Sequence, residues 1–129
     1  MNFKARRLVK PGDLNPRGTL FGGQLLAWID EEAAIFCKYE LGTKSVVTKL
    51  MSEINFMSPA YVGDVVTIGI ELVSVGTTSI ILKCSARNQD TDKEILNIDK
   101  FVFVSVDRNG VPKPHGINAK TEEDDKENS

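Results

Sequence analysis

The chain predicts an α+β fold, an antiparallel sheet of about five strands wrapped around one long central helix. Three observations carry this reading. One long helical stretch follows a glycine pair. The segments after it alternate polar and apolar residues with period two. The links between those segments are mostly short, which favours antiparallel neighbours.

Residues 3–9 form the first expected strand. "KPGDLNPRG" follows, punctuated by the turn formers Pro11, Gly12, Asn15, Pro16 and Gly18. A helix is expected from about Gly22 to Leu41, with Gly42 suited to its C-terminal end. From Ser45 to Met57 the period is two, placing Val46, Thr48, Leu50, Ser52, Ile54 and Phe56 on one face. "SPAYVGD" connects to residues 65–75, where Val66, Ile68, Ile70 and Leu72 share a face. "VGTTS" at 75–79 reads as a hairpin turn. Residues 79–87 continue with Ile80, Leu82, Cys84 and Ala86 facing one way. The polar link "NQDTDKE" leads to a last strand near 95–106, which "DRNG" closes with an Asn-Gly turn signal. The domain spans 3–113. Residues 117–129, ending "TEEDDKENS", are expected to be a disordered acidic tail.

The composition excludes several classes. The 129 residues suit one domain with a modest core, and a net charge of −2 gives no general attraction to nucleic acid or anionic membrane. No apolar run reaches the ~20 residues of a membrane span. "MNFKARRLVK" lacks the apolar core of a signal peptide, so a cytoplasmic location is expected. Cys37 and Cys84 lie in apolar patterns and are expected to be buried and inert. With His115 the only histidine and no cysteine cluster, no metal site is expected.

The helix carries three adjacent acids, and at 100° per residue they take different faces. Glu31 shares a polar stripe with Gln24 and Lys38 and reads as a solvated charge. Glu32 falls among Leu25, Trp28, Phe36 and Tyr39, where it either pairs with a basic residue of the sheet or reaches an edge. Asp30 falls among Gly23, Leu26, Ala27, Ala33, Ala34 and Cys37. A strip of small residues lets a backbone or ligand approach closely. A carboxylate there would be partly desolvated, a setting that suits a base or nucleophile.

Gly22 and Gly23 open the helix, where backbone N–H groups without intrahelical acceptors point outward. Such donors can stabilise an oxyanion. Gly23 and Asp30 are roughly 10 Å apart along the helix axis, too far for both to touch one reacting carbonyl. If both act on it, they come from different subunits.

"LNPRGTLFGGQLLAWIDEEAA", "VVT", "INFMSPAYVGDVV" and "VGTTS" together resemble the hot-dog-fold acyl-CoA thioesterases, especially the bacterial short-chain and broad-specificity acyl-CoA hydrolases, relatives of the animal cytosolic and brain enzymes. The resemblance covers roughly residues 3–113. It implies hydrolysis of fatty acyl-CoA to a free fatty acid and CoA, with no cofactor beyond the CoA of the substrate. It maps the catalytic carboxylate onto Asp30, a catalytic Asn onto Asn15 and the oxyanion donor onto the Gly23 N–H. Asp30 acts either as general base or as nucleophile. Substrate contacts fall on Phe21, Gly22, Ser58, Thr77, Thr78 and Arg87. The Asn and the acid of one site come from opposite subunits, so a homodimer is implied, with assembly into a hexamer as a trimer of dimers. Met57-Ser58 stands where relatives often carry a basic residue before the proline. Arg17, Lys49, Lys83, Arg87 and Arg108 are the candidate contacts for the CoA phosphates. Two alternatives remain in view. A dehydratase of this fold needs a histidine base, and His115 lies past the last strand. A non-catalytic acyl-CoA-binding protein could dispense with Asp30.

Overall fold

The computed structural model describes residues 1–117. The expected acidic tail lies outside them except for Ile117, which packs partly buried against the core. The elements are β1 (Asn2–Leu8), a short 3-10 turn (Pro11–Asp13), α1 (Gly22–Tyr39), β2 (Val46–Phe56), β3 (Val65–Val75), β4 (Ser79–Asn88) and β5 (Lys93–Ser105). The strands form one antiparallel sheet in the order β1-β3-β4-β5-β2. The helix packs against β2, β3 and β4.

The core lies between helix and sheet. Leu25, Trp28, Ile29, Ala33 and Cys37 form the buried side of α1. Val66, Ile68, Ile70 and Leu72 of β3 and Ile80, Leu82, Cys84 and Ala86 of β4 meet it, as period two requires. Phe101 and Phe103 of β5 stack with centroids 4.7 Å apart.

The helix ends at Tyr39, earlier than the expected Leu41. Gly42 follows at φ +72°, and the Thr43 N–H closes the end on the Cys37 carbonyl at 2.9 Å. The link after β4 is also tighter than expected. Asn88 Oδ1 accepts the N–H groups of Asp90 and Thr91, and Asp92 adopts φ 59°. This local hydrogen bonding lets β4 run on to Asn88 and β5 start at Lys93.

The single face expected for β2 is corrected. The register with β5 shifts between Thr48 and Leu50, which leaves Lys49 as a bulge. A one-residue insertion exchanges the two faces. Met51 therefore packs on the core, while Leu50 is 44% exposed. Glu53, at φ 57°, marks a second irregularity, beyond which Ile54 packs inward again.

Cys37 and Cys84 are buried, unbridged thiols. Burial pushes both up to about 12 from an ordinary value of 9.0, and Cys84 is raised further by its neighbour Cys37. The native fold thus holds these protons more tightly than the unfolded chain does. Their contribution to stability is complete below pH 9.0 and is lost as pH rises toward about 12. A thiol-reactive dye should label neither cysteine in the native protein and both in denaturant. The urea midpoint should fall at alkaline pH. Rapid native labelling would contradict this burial.

Candidate active site

The loop leading into α1 is built by Asn15. Its Oδ1 accepts the N–H groups of Arg17 at 2.9 Å and Thr19 at 3.2 Å, and its Nδ2 donates to Thr19 Oγ1 at 2.9 Å. The amide is thus bonded within its own loop, in the Asx-turn manner. Gly18 at φ +85° completes the reversal. The Leu20 N–H donates to the Ala60 carbonyl, which ties this loop to the β2–β3 connection.

Gly22 and Gly23 are the first two residues of the helix. Two aromatic rings crowd them. A Cβ on Gly22 would stand 3.0 Å from the Phe56 ring, and one on Gly23 only 2.6 Å from the Phe21 ring. Those rings are themselves 61% and 54% exposed. Large side chains so open to solvent around a helix start suit a surface that something else covers.

Asp30 lies halfway along α1 on the flank facing β2. Thr48 Oγ1 donates to its Oδ1 at 2.6 Å. Along the same strip Gly23 and Ala27 are exposed and Leu26 and Ala34 are half-buried. Ala33 and Cys37, also expected on this strip, are fully buried in the core, so only its part at Gly23 and Ala27 is open. Thr48 is the contact that the sequence reading did not assign a role. Its signal was present in "VVT", because Thr48 shares the helix-facing side of β2 with Val46.

The other acids sort by flank. Glu31 is exposed. Glu32 is turned about 200° from Asp30 and pairs with Arg7 of β1 at 2.6 Å, the sheet-pairing option. That opposite flank also borders a cleft of about 550 Å³ lined by residues that include Ile35, Phe36, Ile68 and Ile70.

The remaining substrate candidates disperse. Ser58 Oγ donates to the Glu94 carbonyl at 2.6 Å and anchors the β2–β3 connection. Thr77 and Thr78 sit in the β3–β4 turn, at the opposite end of β3 from that connection, and their carbonyls accept the N–H groups of His115 and Ser105. Arg87 lies directly across from Thr67 on the sheet face turned away from the helix, 3.3 Å from Asp92. Beside it Glu94 accepts from Ser85 Oγ and Asn97, and these hydrogen bonds hold its carboxyl below the usual range. Lys83 pairs with Glu71 at 3.4 Å. Arg17, Lys49 and Arg108 are exposed. Within one protomer, then, Asp30 meets Thr48 halfway along α1, while Phe21, the glycines and the Asn15 loop gather at the N-terminal end of the helix.

The thioesterase superfamily model matches residues 17–95. The acyl-CoA thioester hydrolase YciA of Salmonella typhimurium is 34% identical over 115 residues, which cover 84% of this chain and 86% of that one. A hexameric thioesterase of Yersinia pestis superposes with a TM-score of 0.84 at 29% identity, covering 91% of this chain and 97% of its own. A hexameric hotdog-fold thioesterase of Campylobacter jejuni gives 0.76 at 30% identity, covering 95% and 92%. A long helix on a 1-3-4-5-2 antiparallel sheet agrees with these matches, and the chain belongs to the thioesterase superfamily with the hot-dog fold.

Proposed function

We propose that this chain is an acyl-CoA thioester hydrolase that cleaves fatty acyl-CoA to a free fatty acid and CoA. The observation that carries the reading is Asp30: a half-buried carboxylate beside the exposed Gly23 and Ala27, held by the Thr48 hydroxyl at the sheet edge. The acyl-CoA thioester hydrolase relatives and the acyl-CoA thioesterases among the structural neighbours support the substrate class.

Water attacks the thioester carbonyl while Asp30 takes its proton, with Thr48 holding one carboxylate oxygen so that the other faces the reacting water. The tetrahedral oxyanion forms against the Gly23 N–H, with Gly22 beside it. Collapse breaks the C–S bond. CoA departs as a thiolate that takes up a proton, and the acyl group leaves as a carboxylate. In the covalent variant an Asp30 oxygen attacks the carbonyl, the C–S bond breaks and CoA leaves as a thiolate that takes up a proton, and water then cleaves the acyl-Asp30 anhydride to the fatty acid and free Asp30. Neither route calls for a cofactor.

Gly23 and Asp30 are separated by roughly 10 Å along the helix, so one carbonyl meets the Gly23 of one subunit and the Asp30 of another. The proposed assembly is a homodimer through the β2 edge, where Leu50 and Phe56 are exposed. Three dimers would make a hexamer, in keeping with the hexameric neighbours. Asn15 shapes the donor half of each site. No helix among the described residues is long and apolar enough to cross a membrane. Two buried free thiols support a reducing, cytoplasmic setting.

The test is the release of free CoA from a panel of acyl-CoAs of increasing chain length. The purified chain should hydrolyse at least one of them. Inertness on all would overturn the reading.

A further inference from the structure

Gly22 and Gly23 have no side chains to fix them, yet an oxyanion donor must lie within about 3 Å of the developing charge. The residues on either side of the pair are both held by Asp13. The Phe21 N–H donates to the Asp13 carbonyl at 2.8 Å. Gln24 Nε2 donates to Asp13 Oδ1 at 2.9 Å. The second carboxylate oxygen accepts the Lys10 N–H at 2.9 Å. Asp13 itself is only 7% exposed. A carboxylate near the first turn of a helix is also favoured by the helix dipole.

We infer that Asp13 is a positioning residue that aims the Gly22 and Gly23 amides by clamping Phe21 on one side and Gln24 on the other; this rests on the acyl-CoA hydrolase reading above. Asp13 touches no substrate in this role. It acts through the first turn of α1. A loop staple of purely structural value would change stability and leave turnover alone.

The experiment compares three full-length variants with wild type by kcat, KM and thermal midpoint on an acyl-CoA that the wild type hydrolyses. Gln24→Glu sets two carboxylates against each other and opens the clamp. Its kcat should fall roughly 10- to 100-fold, because misplacing a reacting geometry by about 1 Å costs up to that much. KM should stay within about twofold. Asp13→Asn combined with Gln24→Glu reverses the polarity of the same bond. The introduced amide donates to the introduced carboxylate, and its oxygen still accepts the Lys10 N–H. That double variant should recover most of the lost kcat. Gln24→Ala, which deletes only the donor, should reproduce the loss and serves if Gln24→Glu does not fold.

A Gln24→Glu or Gln24→Ala variant with wild-type kcat, whatever its thermal midpoint, overturns the inference. So does a double variant no faster than Gln24→Glu. An inert wild type instead overturns the hydrolase reading and this inference with it, so the two failures are told apart by the wild-type control.

Discussion

Replacing Asp30 with Asn should lower kcat for acyl-CoA hydrolysis by about 10²–10⁴-fold, the usual contribution of a positioned general base. The substitution is nearly isosteric and still offers an oxygen to Thr48 Oγ1, which now donates at 2.6 Å. The helix and its packing are therefore expected to survive, and the urea midpoint should match wild type. KM should change little, because the lost interaction develops in the transition state. Thr48→Val should act in the same direction but less, by roughly tenfold, since it removes orientation and leaves the base. Stopped assays of CoA release with each variant check both. An Asp30→Asn protein with undiminished turnover would exclude Asp30 as base and as nucleophile.

The environment explains why Asp30, rather than its neighbours, carries that expectation. Glu32 is committed to Arg7 at 2.6 Å on the β1 flank. Glu31 points to solvent on the exposed face, where a charge is well hydrated and poorly placed against a bound acyl group. Of the three, Asp30 sits at the boundary between the covered face of α1 and its open side at Gly23 and Ala27. A carboxylate there is held by one hydroxyl and still reachable. Three adjacent acids thus acquire three roles because successive helical residues turn by about 100°.

This division was legible in the sequence, because a helix wheel depends only on spacing. The same holds for β4, and for β3 as far as Leu72, before the register shift at Val73 brings Val75 rather than Ser74 onto the core. The β2 strand resisted for a physical reason. A bulge is set by how two strands register, and nothing within "VVTKLMSEINF" marks Lys49 as the unpaired residue. The exchange of Leu50 for Met51 on the core side follows from that one residue. Thr48 escaped a role because hydrogen bonding across 18 positions in sequence is a tertiary fact. Asp13 escaped for the same reason: a lone acid in a Pro/Gly-rich loop reads as a turn residue until Phe21 and Gln24 fold back onto it. The location of Arg87 was open as well. Period two says which residues share a face with it, and only the helix position says that this face is the outer one.

The complementation of two inactive variants should give the second large effect. Asn15→Ala removes the acceptor for the Arg17 and Thr19 N–H groups and the donor to Thr19 Oγ1, so it loosens the loop that leads into Gly22 and Gly23. Asp30→Asn removes the base. Each homo-oligomer should be nearly inactive. If one site takes its Asn15 loop and glycines from one subunit and its Asp30 from the partner, a mixed dimer contains one doubly damaged site and one intact site. At equal concentrations and random exchange, half of the dimers are mixed, and about a quarter of all sites are wild type, as two-fold symmetry requires. Activity should therefore rise from near zero to roughly a quarter of the wild-type rate as subunits exchange. Exchange is followed independently with tagged protomers. If Asn15 and Asp30 instead serve the same site from one chain, every site in every mixture carries a defect and mixing restores nothing. The distance along α1 favours the first outcome: the helix that carries Gly23 and Asp30 keeps them roughly 10 Å apart, and the open β2 edge, where Leu50 and Phe56 are exposed, is where a partner's helix closes the gap.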